Sequence, residues 1–155
     1  MNEATSTAIH RRVAALRAGN DPTRVARVAS GWVVLGDPQV FAGYCLLLPD
    51  PVVADLNALP ETARTQFLSD MAAVGDVLLR LTGATRINYA IFGNLEPALH
   101  AHIFPRRSDE PPALVTAQPW AYDWTQAPRF DADRDGPFIS RLAAALADRI
   151  PGAVR

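Results

Sequence analysis

Two histidines separated by a single residue, His100 and His102, are the groups in this chain best placed to do chemistry. They fall in the run Leu99-His-Ala-His-Ile-Phe104, whose composition reads as a β-strand. Side chains alternate faces along a strand, so Leu99, Ala101 and Ile103 share one face and His100, His102 and Phe104 the other. The first set is apolar and fits beneath a helix. The second set places two imidazoles side by side, roughly 7 Å apart at the backbone by strand rise. A Gly93-Asn94 turn just upstream could aim backbone N–H groups at an anion. Three readings fit this pattern. The histidines could simply occupy a half-exposed strand face. They could hold a metal, which needs a third ligand brought from His10, Asp37 or Asp50. Or one neutral imidazole could attack a phosphorus while the other hydrogen-bonds the phosphate and protonates the leaving group.

Composition narrows the field. The 155 residues are 49% hydrophobic and 20% charged, the balance of a globular chain, and amount to one domain spanning 1–155. Fifteen basic against sixteen acidic residues leave a net charge of −1, which argues against a nucleic-acid partner held by phosphate neutralisation. Every basic residue is arginine, so Schiff-base chemistry and a P-loop are excluded. The one cysteine, Cys45, rules out an internal disulfide and a CxxC site, and its apolar run predicts a buried, inert thiol. No apolar run approaches the roughly 18 residues that span a bilayer, and the N-terminus lacks the apolar core of a signal peptide. The expectation is a cytoplasmic protein with no membrane partner.

The elements that must position the histidines follow from periodicity. Residues 6–18 read as an amphipathic helix through Ile9, Val13 and Leu16, closed by Gly19-Asn20-Asp21-Pro22. Trp32–Leu35 and Tyr44–Leu48 read as a hairpin joined through Gly36-Asp37-Pro38 and Gly43. The clearest helix runs from Pro60 to Leu81, with Phe67, Met71, Val74, Leu78 and Leu81 forming one stripe and Gly83 closing the end. Residues 86–91 and 99–104 are two further strands, the second stopped by Pro105. A loop-rich stretch from Arg106 leads to a last helix at about 137–150, which Asp135 or Gly136 would cap. This order predicts an α+β domain: an antiparallel sheet with helices on one face.

The segment Asn88-Tyr-Ala-Ile-Phe-Gly-Asn-Leu-Glu-Pro-Ala-Leu-His-Ala-His-Ile-Phe-Pro-Arg106 resembles the signature of the histidine triad (HIT) superfamily. In that superfamily three histidines alternate with apolar residues ahead of an apolar pair. The resemblance spans a core of about residues 30–107 and includes the first hairpin and the central helix. It implies a sheet of about five strands with the long helix packed on one face. It also implies a hydrolase or nucleotidyl transferase acting at the α-phosphate of nucleotide conjugates, such as dinucleoside polyphosphates or nucleoside phosphoramidates. His100 then matches the nucleophile, and His102 the group against the phosphate and leaving group. Asn94 and Gly93 match a polar turn beside the phosphate, Asn88 a supporting asparagine, and Asp37 a ribose contact. A small-molecule nucleotide substrate, a homodimer, and neither metal nor cofactor complete the implied picture. Two departures stand out: Ala98 occupies the first triad position, and Tyr44 stands where a glycine-histidine pair is common. The alternative is a non-catalytic nucleotide-binding or regulatory module with a degenerate triad.

Other features have plainer readings. Asp131-Ala-Asp133-Arg-Asp135-Gly136 mimics the opening of a calcium loop, but Leu142 occupies the position of its closing glutamate. Trp120, Tyr122, Trp124 and Phe130 could stack a nucleobase or pin a loop. Arg106 and Arg107 could reach a polyphosphate or lie solvated at a strand end, and His10 belongs to a helix surface.

Overall fold

The computed structural model describes residues 6–155. Five strands form one antiparallel sheet: β1 (Arg24–Val28), β2 (Gly31–Leu35), β3 (Cys45–Pro49), β4 (Arg86–Ile91) and β5 (Ala101–Arg106), in the spatial order β1-β2-β3-β5-β4. Helices α2 (Glu61–Thr82) and α3 (Ala132–Arg149) cover one face, and α1 (Ala8–Arg17) lies on the other.

Alternation along the strands decides which residues meet which layer. Val33, Leu35, Cys45, Leu47, Leu99, Ala101 and Ile103 face the helical layer and pack on Phe67, Val74 and Leu78 of α2 and on Ile139, Leu142 and Leu146 of α3. The opposite face carries Trp32, Val34, Tyr44, Leu46, Leu48, Ala98 and Phe104, against which α1 lays Ile9, Val13 and Leu16. Thr7 and His10 close a capping box at the start of α1, so the His10 ring serves a helix end. Asp50 anchors this helix to the sheet by accepting from Trp32 Nε1 at 2.9 Å and pairing with Arg17.

The long helix, both its ends and the β4 span agree with the periodicity. Gly83 adopts a φ of 66°, the left-handed closure that glycine allows. Three expectations need correction, and one strand has no local signal: RVARV of β1 offers too few apolar residues to stand out beside α1. The helices do not share one face, since the stripe of α1 covers the sheet side that also holds the histidines. Pro105 does not stop β5, which runs on to Arg106. Arg106 O accepts from Thr85 N on the β4 side, so Pro105 points the other way, where β3 pairing reaches only Cys45. Finally, α3 starts five residues before Pro137. Asp131 caps it by accepting from Arg134 N at 2.8 Å, while Asp135 accepts from Asp131 N at 2.9 Å. Helix capping thus takes up two of the acids in the calcium-like motif.

Candidate active site

His100 lies at the entry to β5 and His102 within it, on the sheet face opposite α2 and α3. That face is not bare: α1 covers the β2–β3 side, and the segment carrying Trp120, Tyr122 and Trp124 folds over Phe104 and Tyr44. The ring centroids of the two histidines are 5.0 Å apart and their planes meet at 75°.

Each imidazole has one nitrogen fixed. His100 Nδ1 lies 2.7 Å from the carbonyl oxygen of Ala98, which can only accept, so Nδ1 carries a proton and the lone pair of the neutral ring is at Nε2. Position 98 has no imidazole, yet its main chain fixes the His100 ring. Ala98 itself is fully buried in the apolar cluster beneath α1. His102 Nδ1 lies 2.6 Å from the hydroxyl of Tyr44. Burial, followed by the charge of His100, pushes His102 down to about 4, so its ring is neutral at pH 7. Burial also raises the Tyr44 hydroxyl, which stays protonated and donates to Nδ1. The N–H of His102 is then at Nε2. Neither Nε2 has a hydrogen-bond partner among the described residues, and neither is a buried orphan, so both reach the surface.

Tyr44 is held with care. Its ring stacks on Phe104 at 4.6 Å and 16°, and it is only 3% exposed. Gln39, buried in the β2–β3 loop, donates to the carbonyls of Gly36 and Tyr44 and accepts from Gly43 N at 2.9 Å. A Cβ on Gly36 would lie 2.1 Å from the Tyr44 ring, so glycine is needed there for the ring to sit where it does. Gly43, at φ 89°, turns the chain into β3 just before it.

Glu96 is a neighbour the sequence gave no reason to single out. It accepts from Ile9 N at 3.2 Å at the start of α1. Burial alone would raise its carboxyl. Hydrogen bonds from Thr7, Ile9 and Ala8 and the charge of His100 outweigh that and hold it below the usual carboxylate range.

The remaining sequence candidates disperse. Gly93 and Asn94 lie in the exposed segment between β4 and β5, leading into the histidines. Asn88 lies on the histidine face of β4, opposite Phe104, and accepts from Arg106 Nη1 at 2.8 Å. Asp37 accepts from Phe130 N at 3.0 Å and pairs with Arg129 at 3.3 Å, so the structure engages it with the C-terminal stretch rather than with the imidazoles. Arg106 is neither solvated nor free: only 6% exposed, it binds Glu110 at 2.8 Å and the carbonyls of Leu114 and Ala117. Arg107 pairs at the surface with Asp109. Cys45 is buried, which raises its thiol as expected. The three suggested third metal ligands are all occupied, His10 by Thr7, Asp37 by Arg129 and Asp50 by Trp32. Among the described residues no group of three His, Cys, Asp or Glu is arranged to hold a metal ion. Nor is any described helix long and apolar enough to cross a membrane.

No protein-family model matches the chain, and no curated protein matches it in sequence. Solved structures do. A histidine triad protein from Bradyrhizobium japonicum is 26% identical, with a TM-score of 0.67 over 86% of this chain and 94% of its own. One from Sinorhizobium meliloti is 20% identical, with a TM-score of 0.67 over 87% of this chain and 94% of its own. A Sulfolobus tokodaii protein described as a hypothetical histidine triad nucleotide-binding protein is 12% identical. Its TM-score is 0.69, over 88% of this chain and 91% of its own.

Proposed function

We propose that this chain, related by fold and by its β5 sequence to the histidine triad superfamily, hydrolyses or transfers at the α-phosphate of nucleotide conjugates. The observation that carries this reading is the pair of imidazoles 5.0 Å apart, each fixed at Nδ1 and without a partner at Nε2 among the described residues.

His100 is the nucleophile. Its Nε2 lone pair forms a bond to the α-phosphorus as the bond from phosphorus to the leaving group breaks. The Ala98 carbonyl accepts a hydrogen bond from Nδ1–H, which stays on the ring as positive charge builds there, and Glu96 adds its field. Water then attacks the phosphorus of the nucleotidyl-His100, releasing the nucleotide and restoring the ring. Another acceptor in place of water makes the same chemistry a transfer.

His102 faces the phosphate through Nε2–H. In the free protein it is the neutral imidazole and donates a hydrogen bond without supplying a proton. The negative charge of a bound phosphate raises its pKa, so the capacity to protonate the leaving group arrives with the substrate. The exposed Gly93-Asn94 turn lies close enough in sequence to offer donors to the phosphate oxygens, with Asn88 supporting the strand beside it. No step requires a metal. A homodimer accompanies this reading, supported by the outer edge of β4, unpaired among the described residues, and by the exposure of Tyr89 on that strand.

The test is incubation of wild type and His100→Ala with a panel of nucleotide conjugates, followed by chromatography. Product from wild type alone, unaffected by a chelator, is expected. If wild type binds nucleotides but turns none over, the chain is a non-catalytic binding module.

A further inference from the structure

A cavity of about 470 Å³ opens on the helical side of the sheet, where the end of α2, the first turns of α3 and the β2–β3 connection meet. That volume is within the range of small-molecule sites. Its lining has two chemistries. Leu35, Leu81, Pro128 and Phe138 supply an apolar wall. The exposed guanidiniums of Arg107, Arg134 and Arg141 share the lining with a single carboxylate, that of Asp135.

The walls are set before any ligand arrives. Gly43 backs against both helices: a Cβ there would lie 2.7 Å from Thr82 Cγ2 of α2 and 3.3 Å from Phe138 Cζ of α3. Gln39 fixes the same turn through both ends of its amide, and its backbone N–H donates to Pro128 O at 2.9 Å. A pocket built from braced backbone loses little freedom when it is filled.

The three arginines differ in what they have left to bind with. Arg107 gives Nε and Nη2 to Asp109 and Nη1 to the carbonyl of Thr82. Arg134 gives Nε and Nη2 to Asp135, and its Nη1 has no partner among the described residues. Arg141 has neither a hydrogen bond nor an ion pair among them, and its guanidinium lies 5.8 Å over the Phe138 ring. Arg134, Phe138 and Arg141 are spaced four and three apart on α3, so the unpartnered donors bracket that ring along one stripe. Asp109 offsets one of the three charges and Asp135 a second, which leaves one. The complement is a single negative charge on an apolar body. We propose that this cavity binds an amphipathic monocarboxylate, its head held by Arg141 and Nη1 of Arg134 and its body laid against Phe138 and Leu81. The site is separate from the imidazoles and goes beyond the proposed function, so it stands or falls independently of nucleotide turnover.

The test titrates decanoate into the full chain, followed by calorimetry and amide NMR. Decyltrimethylammonium serves as the same tail with the opposite charge, acetate as the head without a tail, and decyl phosphate as the same tail with close to two charges. Decanoate should bind saturably, one per chain, at least roughly 10-fold more tightly than the first two and no more weakly than the third, with shifts centred on Gly43, Leu81 and Phe138. Arg141→Ala, a change at an exposed residue, should weaken it roughly 10-fold, the worth of one charge-assisted hydrogen bond. Equal binding of decyltrimethylammonium would make the cavity a plain apolar cleft. Decyl phosphate binding 10-fold more tightly would make it a phosphate site, and an affinity that Arg141→Ala leaves unchanged would place decanoate elsewhere. Each of these, or no saturable binding of decanoate into the millimolar range, overturns the proposal.

Discussion

His102 and Arg106 stand four residues apart on the same face of the same strand, and their surroundings are opposites. Arg106 is saturated: its guanidinium binds Glu110, Asn88 and three backbone carbonyls and lies 4.8 Å over the ring of Phe41. Nothing is left with which to bind a ligand. His102 and its neighbour His100 each use one nitrogen on the protein, and the other has no partner among the described residues. A buried polar group with every valence met is structure, and a pair aligned but half-used is a candidate site. The basic residue that sequence made a phosphate candidate proves to be a brace, and the group that fixes His100 is the main-chain carbonyl of Ala98.

This contrast predicts that the two ends of β5 fail differently. His100→Ala should cut turnover by on the order of 10³-fold or more, as loss of a nucleophile does. It should cost only about 1 kcal/mol in stability by denaturant melt. Arg106→Ala should do the reverse in kind, costing about 3–5 kcal/mol because Glu110 loses its ion pair and the carbonyls of Leu114, Val115 and Ala117 lose their donor. A His100 variant that unfolds, or an Arg106 variant that keeps its melting temperature, breaks the contrast.

Acid sharpens it. The folded chain holds His102 at about 4 against an ordinary 6.5, so between those values the unfolded chain binds a proton that the folded one does not. Stability therefore rises with pH across that window and falls on acidification, by up to about 1.4 kcal/mol per pH unit from this group. His102→Gln should lose that component of the slope in urea melts between pH 6.5 and 4. Identical slopes in both proteins would mean that His102 titrates normally.

Tyr44→Phe should lower kcat roughly 10- to 100-fold by analogy with the loss of an orienting partner at a metal-bound histidine, with little change in KM. Tyr44→His should recover part of the loss. An equal rise in KM would make Tyr44 a packing residue alone. The smallest effect belongs to Asp37: held by Phe130 and Arg129, its change to Asn should shift KM less than about threefold by steady-state kinetics. A larger shift would restore a ribose contact.

Much of this was legible beforehand. Strand alternation separated Leu99, Ala101 and Ile103 from the histidines, and helical periodicity located α2 nearly to the residue. What escaped was long-range. The Tyr44–His102 bond spans 58 residues and the Glu96 contact with α1 spans 87, and no local pattern encodes either. The burial of Arg106 depends on a loop with no periodicity of its own, so an arginine at a strand end looked solvated. Ala98 was misleading for another reason. Residue type records the side chain, whereas the group that orients His100 is a carbonyl any residue would carry.

The central claim, a covalent nucleotidyl intermediate on His100, is tested most directly by stereochemistry. A conjugate chiral at an α-phosphorothioate is hydrolysed in ¹⁸O-labelled water and the configuration of the product determined. Two successive in-line displacements, the first by His100 and the second by water, predict net retention. Inversion would mean that water attacks the substrate directly, and the nucleophilic role of His100 would be wrong.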